Sequence, residues 1–159
     1  MTGLKPFDRF LIKYCTNPGR LLDVGASGQI VDTTVTFMGH KYESLNIGFG
    51  NYDVTKDPYH WTMIPDNTYD YTISLTAFEH IEFPWLTFLE MVRVTKNNGL
   101  IYIVAPSIGD IHPNTLDCWR YLPDGMRAFA KWGNVTVVDI ILDQENAWHY
   151  CEGIFKKER

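Results

Sequence analysis

The stretch Leu21-Leu22-Asp23-Val24-Gly25-Ala26-Ser27-Gly28 constrains this chain more than any other. A short apolar run carrying one acid stops abruptly at four small residues. Leu21, Leu22 and Val24 suit a strand buried on both faces. The small residues then let the backbone turn sharply and approach a ligand. On its own, such a turn fits any α/β domain, so the rest of the chain has to narrow it.

Apolar spacing predicts a leading helix over 5–17, where Phe7, Phe10, Leu11 and Tyr14 share a face before Asn17-Pro18-Gly19 breaks it. Strands are expected at 20–24, 41–47, 51–54, 69–75, 100–105, 135–142 and 147–155. Helices are expected at 29–39, 82–96 and 123–132. Asn97-Asn98-Gly99 should stop the second of these and Gly133 the third. The last two strands are joined by only Asp143–Asn146, so they should lie antiparallel.

The alternation predicts a three-layer, Rossmann-like α/β sandwich with a mainly parallel seven-stranded sheet ending in an antiparallel hairpin. We expect a single domain over 1–159: a leading helix (1–19), a ligand-binding core (20–106), a loop (107–121), then a helix and a terminal strand pair (122–159). Ligands on such sheets lie at the carboxyl ends of the strands. The search for a site therefore narrows to 25–28, 46–48, 57–61, 76–81 and 105–119.

The net charge of −5 argues against a nucleic-acid partner, which calls for a basic face. Three cysteines, Cys15, Cys118 and Cys151, have no metal-ligand spacing and fit a reduced, cytoplasmic chain. No apolar run approaches membrane-spanning length, so no membrane partner is expected.

Four segments carry a resemblance. Leu22-Asp23-Val24-Gly25-Ala26-Ser27-Gly28, Ile64-Pro65-Asp66-Asn67-Thr68-Tyr69-Asp70, Glu79-His80-Ile81 and Glu90-Met91-Val92-Arg93-Val94-Thr95-Lys96-Asn97-Asn98-Gly99 occur in the order and spacing of the class I S-adenosylmethionine-dependent methyltransferases. They most resemble the small type 11 branch. The resemblance covers 20–106, and Asp117-Cys118-Trp119-Arg120 with Pro123-Asp124-Gly125-Met126 is similar to a subgroup within it.

The resemblance implies S-adenosylmethionine as cofactor. Asp23, Gly25, Ala26 and Ser27 would lie under its amino-acid half. Asn46, with Ile47 beside it, stands where the family grips both ribose hydroxyls. Asp57 matches the acceptor of the adenine amino group, Pro58 and Tyr59 would cover the ring, and Thr76 to Phe78 would line the opposite side. The nicotinamide fingerprint G-x-G-x-x-G, the main competing reading of the first turn, is missing.

Two departures stand out. Of the family's D-x-G-x-G-x-G only Gly25 is kept, with Ser27 and Gln29 in the other glycine positions. Asn46 replaces the ribose acid and loses a charge-assisted contact. Cofactor binding weaker than the family norm by ~1–2 kcal/mol is expected.

Methyl transfer from a sulfonium is an in-line displacement, and a neutral hydroxyl acceptor must also lose its proton. His80 is the candidate base, with Glu79 orienting it. The bland alternative is that His80 caps the next helix while Glu79 bonds backbone amides. A metal site on Glu79, His80 and His112 is not expected, because contiguous Glu-His is a poor chelate.

His112, Asp117, Trp119 and Arg120 are candidate acceptor-binding residues, with Trp119 beside acids favouring a saccharide-like hydroxyl acceptor, a small molecule or a glycan. Against this, Trp119 could simply pack the loop onto the sheet. The absence of any inserted cap predicts an open acceptor site, or one completed by a second copy of the chain in a homodimer. The eroded first loop keeps a second class in view: a catalytically inactive methyltransferase-like binding or regulatory module.

Overall fold

The computed structural model describes residues 5–26, 34–36, 38–112, 116–145 and 147–159. Its elements run α1 (Pro6–Tyr14), β1 (Arg20–Val24), β2 (Lys41–Asn46), β3 (Tyr52–Asp53), β4 (Tyr69–Leu75), a 3₁₀ turn (Phe78–His80), α2 (Pro84–Val94), β5 (Thr95–Pro106), α3 (Pro123–Gly133), β6 (Thr136–Leu142) and β7 (Tyr150–Lys156). Residues 34–36 of the helix expected at 29–39 are helical, while 29–33 and 37 lie outside the described residues.

The strands form one seven-stranded sheet in the order β3-β2-β1-β4-β5-β7-β6. All neighbours from β3 to β5 pair in parallel, whereas β7 runs antiparallel to both β5 and β6. The expected mixed sheet and its closing hairpin are therefore both present.

Strand periodicity of two sorts the side chains into layers. On one face Leu22 and Val24 of β1 join Ile101, Ile103 and Ala105 of β5, and Phe88, Met91, Met126 and Phe129 of α2 and α3 cover them. On the other face Leu21, Ile73, Tyr102 and Val104 meet Phe10 and Leu11 of α1. Phe10 stacks on Tyr102 with ring centroids 4.2 Å apart. Each fully buried side chain of this kind contributes about 1.5–3 kcal/mol.

Two punctuation signals were misplaced by sequence reasoning. Asn97-Asn98-Gly99 does not stop α2. That helix ends at Val94, where Thr95 turns to extended backbone, and the Asn-Asn-Gly run lies inside the long β5. Asn98 takes φ +66° there, beside a register shift opposite Tyr69 and Tyr71. Similarly, Gly133 is the last residue of α3 rather than its stop. Asn134 takes the left-handed turn at φ +51°, while a Cβ on Gly133 would lie 2.6 Å from the Phe88 ring. Close helix packing selects that glycine.

Candidate cofactor and acceptor site

β1 sits between β2 and β4, where the strand order reverses, and such a reversal opens a crevice at the strand ends. Gly25 begins the turn at φ +79°, and a Cβ there would lie 2.4 Å from that of Ala77. Both facts require glycine. Across the crevice Thr76 ends β4 at φ +49°, an unusual conformation for a residue branched at Cβ.

Between these loops lies a cavity of about 690 Å³, predominantly apolar. Its rim on the β2 side carries Asn46, Ile47 and Phe49. The loop after β3 adds Pro58, Tyr59 and Trp61, and Thr76, His80, Ile81 and Leu116 close the far side. A cavity of this size suits a cofactor-sized ligand.

The loop that supplies Tyr59 and Trp61 is pinned from α2. Glu90 accepts the Trp61 amide (2.7 Å), and Arg93 donates to the carbonyls of Trp61 (3.0 Å) and Ile64 (2.9 Å) and to Asp66 (2.7 Å). Hydrogen bonding to Glu90 holds the Arg93 guanidinium well above its ordinary value. The Glu90-x-x-Arg93 spacing thus acts as a brace beneath one cavity wall.

Of the residues expected to touch the cofactor, Gly25, Asn46, Ile47, Pro58, Tyr59 and Thr76 line the cavity. Asn46 is already engaged: its Nδ2 donates to the Ala26 carbonyl (2.6 Å) and its Oδ1 accepts the Ile47 amide (2.8 Å). Ala26 itself is buried behind that contact. Asp23 lies below the turn, where burial pushes its carboxyl up to about 7 against the Tyr42 hydroxyl that donates to it (2.9 Å). Its Oδ1 has no hydrogen-bond partner among the described residues.

Asp57 is not part of the lining. It is exposed, and its carboxylate meets His60 Nδ1 at 3.1 Å. Phe78 belongs to the core, edge-on to Tyr121 and Phe129. Ser27 falls outside the described residues. Phe49, Trp61, Thr87 and Leu116 line the cavity without having been named from sequence. Gly48-Phe49-Gly50 carried a usable signal, an aromatic flanked by glycines, but nothing in the sequence marked Thr87.

The wall nearest the loop after β5 is polar. His80 lines the cavity, and Glu79 is buried behind it with Oε1 3.8 Å from His80 Nε2. Burial raises the Glu79 carboxyl above its ordinary value, against its own backbone amide and the neighbouring imidazoles. The amides of Cys118 and Trp119 donate to the Glu79 carbonyl, which docks the loop on the 3₁₀ turn. α2 has no side-chain cap, so His80 does not serve as one.

Within the loop Asp117 binds Arg120 through both carboxylate oxygens (2.6 and 2.9 Å) and accepts the His112 amide. The Arg120 hydrogen bonds hold the Asp117 carboxyl well below the usual range. Trp119 donates its indole N–H to the Ile81 carbonyl (3.0 Å) yet stays 40% exposed. It closes a file of rings, Tyr59, Phe83, Trp85 and Trp119, each 5.5–6.1 Å from the next.

Known proteins share this architecture. The sequence matches the methyltransferase-domain family over residues 29–103. Among solved structures, the chain superposes on the 1,6-didemethyltoxoflavin-N1-methyltransferase of Burkholderia thailandensis, solved with its acceptor and S-adenosylhomocysteine. The TM-score is 0.78 at 12% identity, over 98% of this chain and 78% of that one.

An S-adenosylmethionine-dependent methyltransferase from Archaeoglobus fulgidus gives 0.75 at 15% identity, over 94% and 90% of the two chains. A chain from the complex between the Haloferax volcanii Trm112 methyltransferase activator and a methyltransferase gives 0.73 at 12%, over 96% and 88%. At such identities the superpositions speak to fold alone. No curated protein matches the sequence closely enough to count as a relative. The sequence match runs from residue 29 into β5 and the shared fold spans nearly the whole chain, so the chain carries a methyltransferase-like sequence segment within the fold of the class I S-adenosylmethionine-dependent methyltransferases.

Proposed function

We propose that the chain binds S-adenosylmethionine in the strand-end cavity and transfers its methyl group to a hydroxyl-bearing, saccharide-like acceptor. One observation carries this reading: a cavity of about 690 Å³ joins the glycine turn, the Asn46 rim and the Tyr59 cover on one side to His80 on the other. The Burkholderia neighbour was solved with S-adenosylhomocysteine, and its fold is the same.

In this reading Tyr59 and Pro58 cover the adenine, while Asn46 and Ile47 face the ribose. The backbone at Gly25, with Ala26 following, approaches the amino-acid half over the buried Asp23, and Thr76 lines the other side. Phe78 acts from beneath as a core support. Asp57 lies outside the lining and makes no contact with the adenine in this reading. Catalysis comes mainly from positioning and the exclusion of water. His80, with Glu79 behind it, activates the acceptor oxygen.

The half-exposed rings from Phe83 to Trp119 present apolar faces for a sugar ring, with His112, Asp117 and Arg120 beside them for its hydroxyls. No described helix is long and apolar enough to cross a membrane.

Calorimetric titration with S-adenosylmethionine and S-adenosylhomocysteine tests the cofactor half. We expect saturable binding that Tyr59→Ala weakens about tenfold, the equivalent of one lost aromatic contact of about 1.4 kcal/mol. No binding up to millimolar ligand would sink the stand-alone enzyme. A second reading, a binding module without turnover, is favoured by Asn46, whose two polar ends are both spent on the protein's own backbone. Release of S-adenosylhomocysteine with hydroxyl-bearing acceptors decides between the two.

A further inference from the structure

Two imidazoles meet beside the cavity wall. His80 Nε2 and His112 Nε2 lie 3.3 Å apart, with the rings nearly perpendicular. His80 Nδ1 faces the Leu116 carbonyl. His112 Nδ1 faces the Asp110 carbonyl at 3.4 Å and an Asp117 carboxylate oxygen at 3.5 Å. All of these partners are acceptors, so each Nδ1 carries the proton. Both Nε2 atoms then face each other, a contact that either a shared proton or a metal ion bound by both makes favourable.

We propose that Glu79, His80 and His112 form a binding site for a divalent transition-metal ion of the zinc class. Three observations converge on it. First, tetrahedral coordination at the usual zinc–nitrogen distance separates two ligand nitrogens by about 3.3–3.4 Å, the spacing found here. Second, a carboxylate oxygen of Glu79 lies within 4.8 Å of both imidazole ligand atoms. Glu79 is only 3% exposed, and its Oε2 has no hydrogen-bond partner among the described residues. Third, each imidazole is held through Nδ1 by a carbonyl or carboxylate, the outer-shell pattern that orients metal-ligating histidines.

Two nitrogens and one carboxylate select a transition metal over magnesium or calcium, which favour all-oxygen shells. Three protein ligands leave a fourth position for water or an acceptor oxygen. His80 also lines the cavity, so that position faces the wall where an acceptor would arrive. Sequence reasoning rejected this chelate because Glu79 and His80 are neighbours in the chain. Folding supplies the third ligand from 32 residues away and brings the Glu79 side chain alongside His80.

Metal binding is measurable without cofactor or acceptor, so the site stands or falls apart from the methyltransferase reading. The chelator-treated chain is titrated with zinc chloride, then with cobalt(II) chloride while visible absorption is followed. We expect one ion per chain and a cobalt spectrum of tetrahedral intensity lacking a thiolate charge-transfer band. His112→Ala should weaken binding at least about 100-fold and Glu79→Gln about 10- to 100-fold. His60→Ala and Cys118→Ser should leave it unchanged, and circular dichroism checks that each variant folds.

Failure of the wild-type chain to take up one equivalent would overturn the site and leave a proton shared between the two imidazoles. Uptake that survives in His112→Ala, or is lost in Cys118→Ser, would overturn it equally. Should His112→Ala fail to fold, the wild-type cobalt spectrum decides, since an octahedral or thiolate-bound spectrum excludes the proposed ligand set.

Discussion

The two walls of the cavity are built on opposite principles. On the β1–β2 side the groups named at the cavity are uncharged, and the charged support lies beneath them. Gly25 turns, Asn46 ties Ala26 to Ile47, and the Tyr59 loop is braced from below by Glu90 and Arg93. On the other side, the 3₁₀ turn and the loop after β5 gather Glu79, His80, His112, Asp117 and Arg120 into one linked group. Shape fixes the first wall and charge the second. Substitutions should therefore separate, with the first wall governing cofactor affinity and folding and the second governing turnover.

The largest separation is expected at His80. In the proposed reaction His80 activates the acceptor oxygen, so His80→Ala should lower turnover about a hundred- to ten-thousand-fold. Cofactor affinity, measured by calorimetry on the same variant, should change little because the β1–β2 wall is untouched. Equal losses in both quantities would break the comparison, since the two walls would then act as one.

Asp23 gives the next largest effect, under the neutral wall. Its folded value of about 7 lies above its ordinary value of 3.8 because burial penalises the anion. Between these two values the folded state holds a proton that the unfolded chain has released. Stability from this group is therefore fully present below about pH 4, falls as pH rises toward 7, and is lost above it. Asp23→Asn should flatten the fall, gaining on the order of a few kcal/mol at pH 8 relative to pH 4. Denaturant melts across that range read it directly; a wild-type slope that persists in the variant would assign the titration elsewhere.

Gly25→Ala ranks third. The new methyl would sit 2.4 Å from Ala77 Cβ at a backbone φ of +79°. A loss of about 1–3 kcal/mol in stability is expected, together with weaker cofactor binding as the turn opens. Thermal unfolding beside calorimetry measures both. A variant as stable as the parent would mean that the first wall yields more readily than its packing implies.

The β1–β2 wall was legible in the sequence because its signals are local. A buried strand followed by small residues, and Asn46 ending the next strand, can be read without knowing what lies opposite. The same holds for the sheet, whose layers follow from alternating side chains. Phe78 misled because a residue just past a strand end can point into the crevice or beneath it, and only Tyr121 and Phe129, from far along the chain, show that it points beneath. Asp57 matched a position in the family pattern, but its exposure and its pairing with His60 depend on the course of a loop that no periodicity encodes. The charged wall was half legible: each of its residues was named, but the meeting of His80 with His112 belongs to tertiary structure.

The smallest expected effect is also the sharpest test of the neutral wall. Asn46→Asp restores the acid that the family places opposite the ribose. It gains a charge-assisted acceptor for a hydroxyl, worth somewhat more than a neutral hydrogen bond. It also gives up the Nδ2 donation to the Ala26 carbonyl (2.6 Å) and sets a carboxylate against that oxygen. The two changes oppose each other at about 1–1.5 kcal/mol apiece, so cofactor affinity should move by less than about tenfold. If affinity instead rises well beyond tenfold, the Asn46–Ala26 tie is dispensable and the wall is organised by the ligand rather than by the chain. If affinity collapses while the unfolding midpoint holds, the tie itself shapes the ribose pocket, and the departure from the family residue is what keeps the first loop in place.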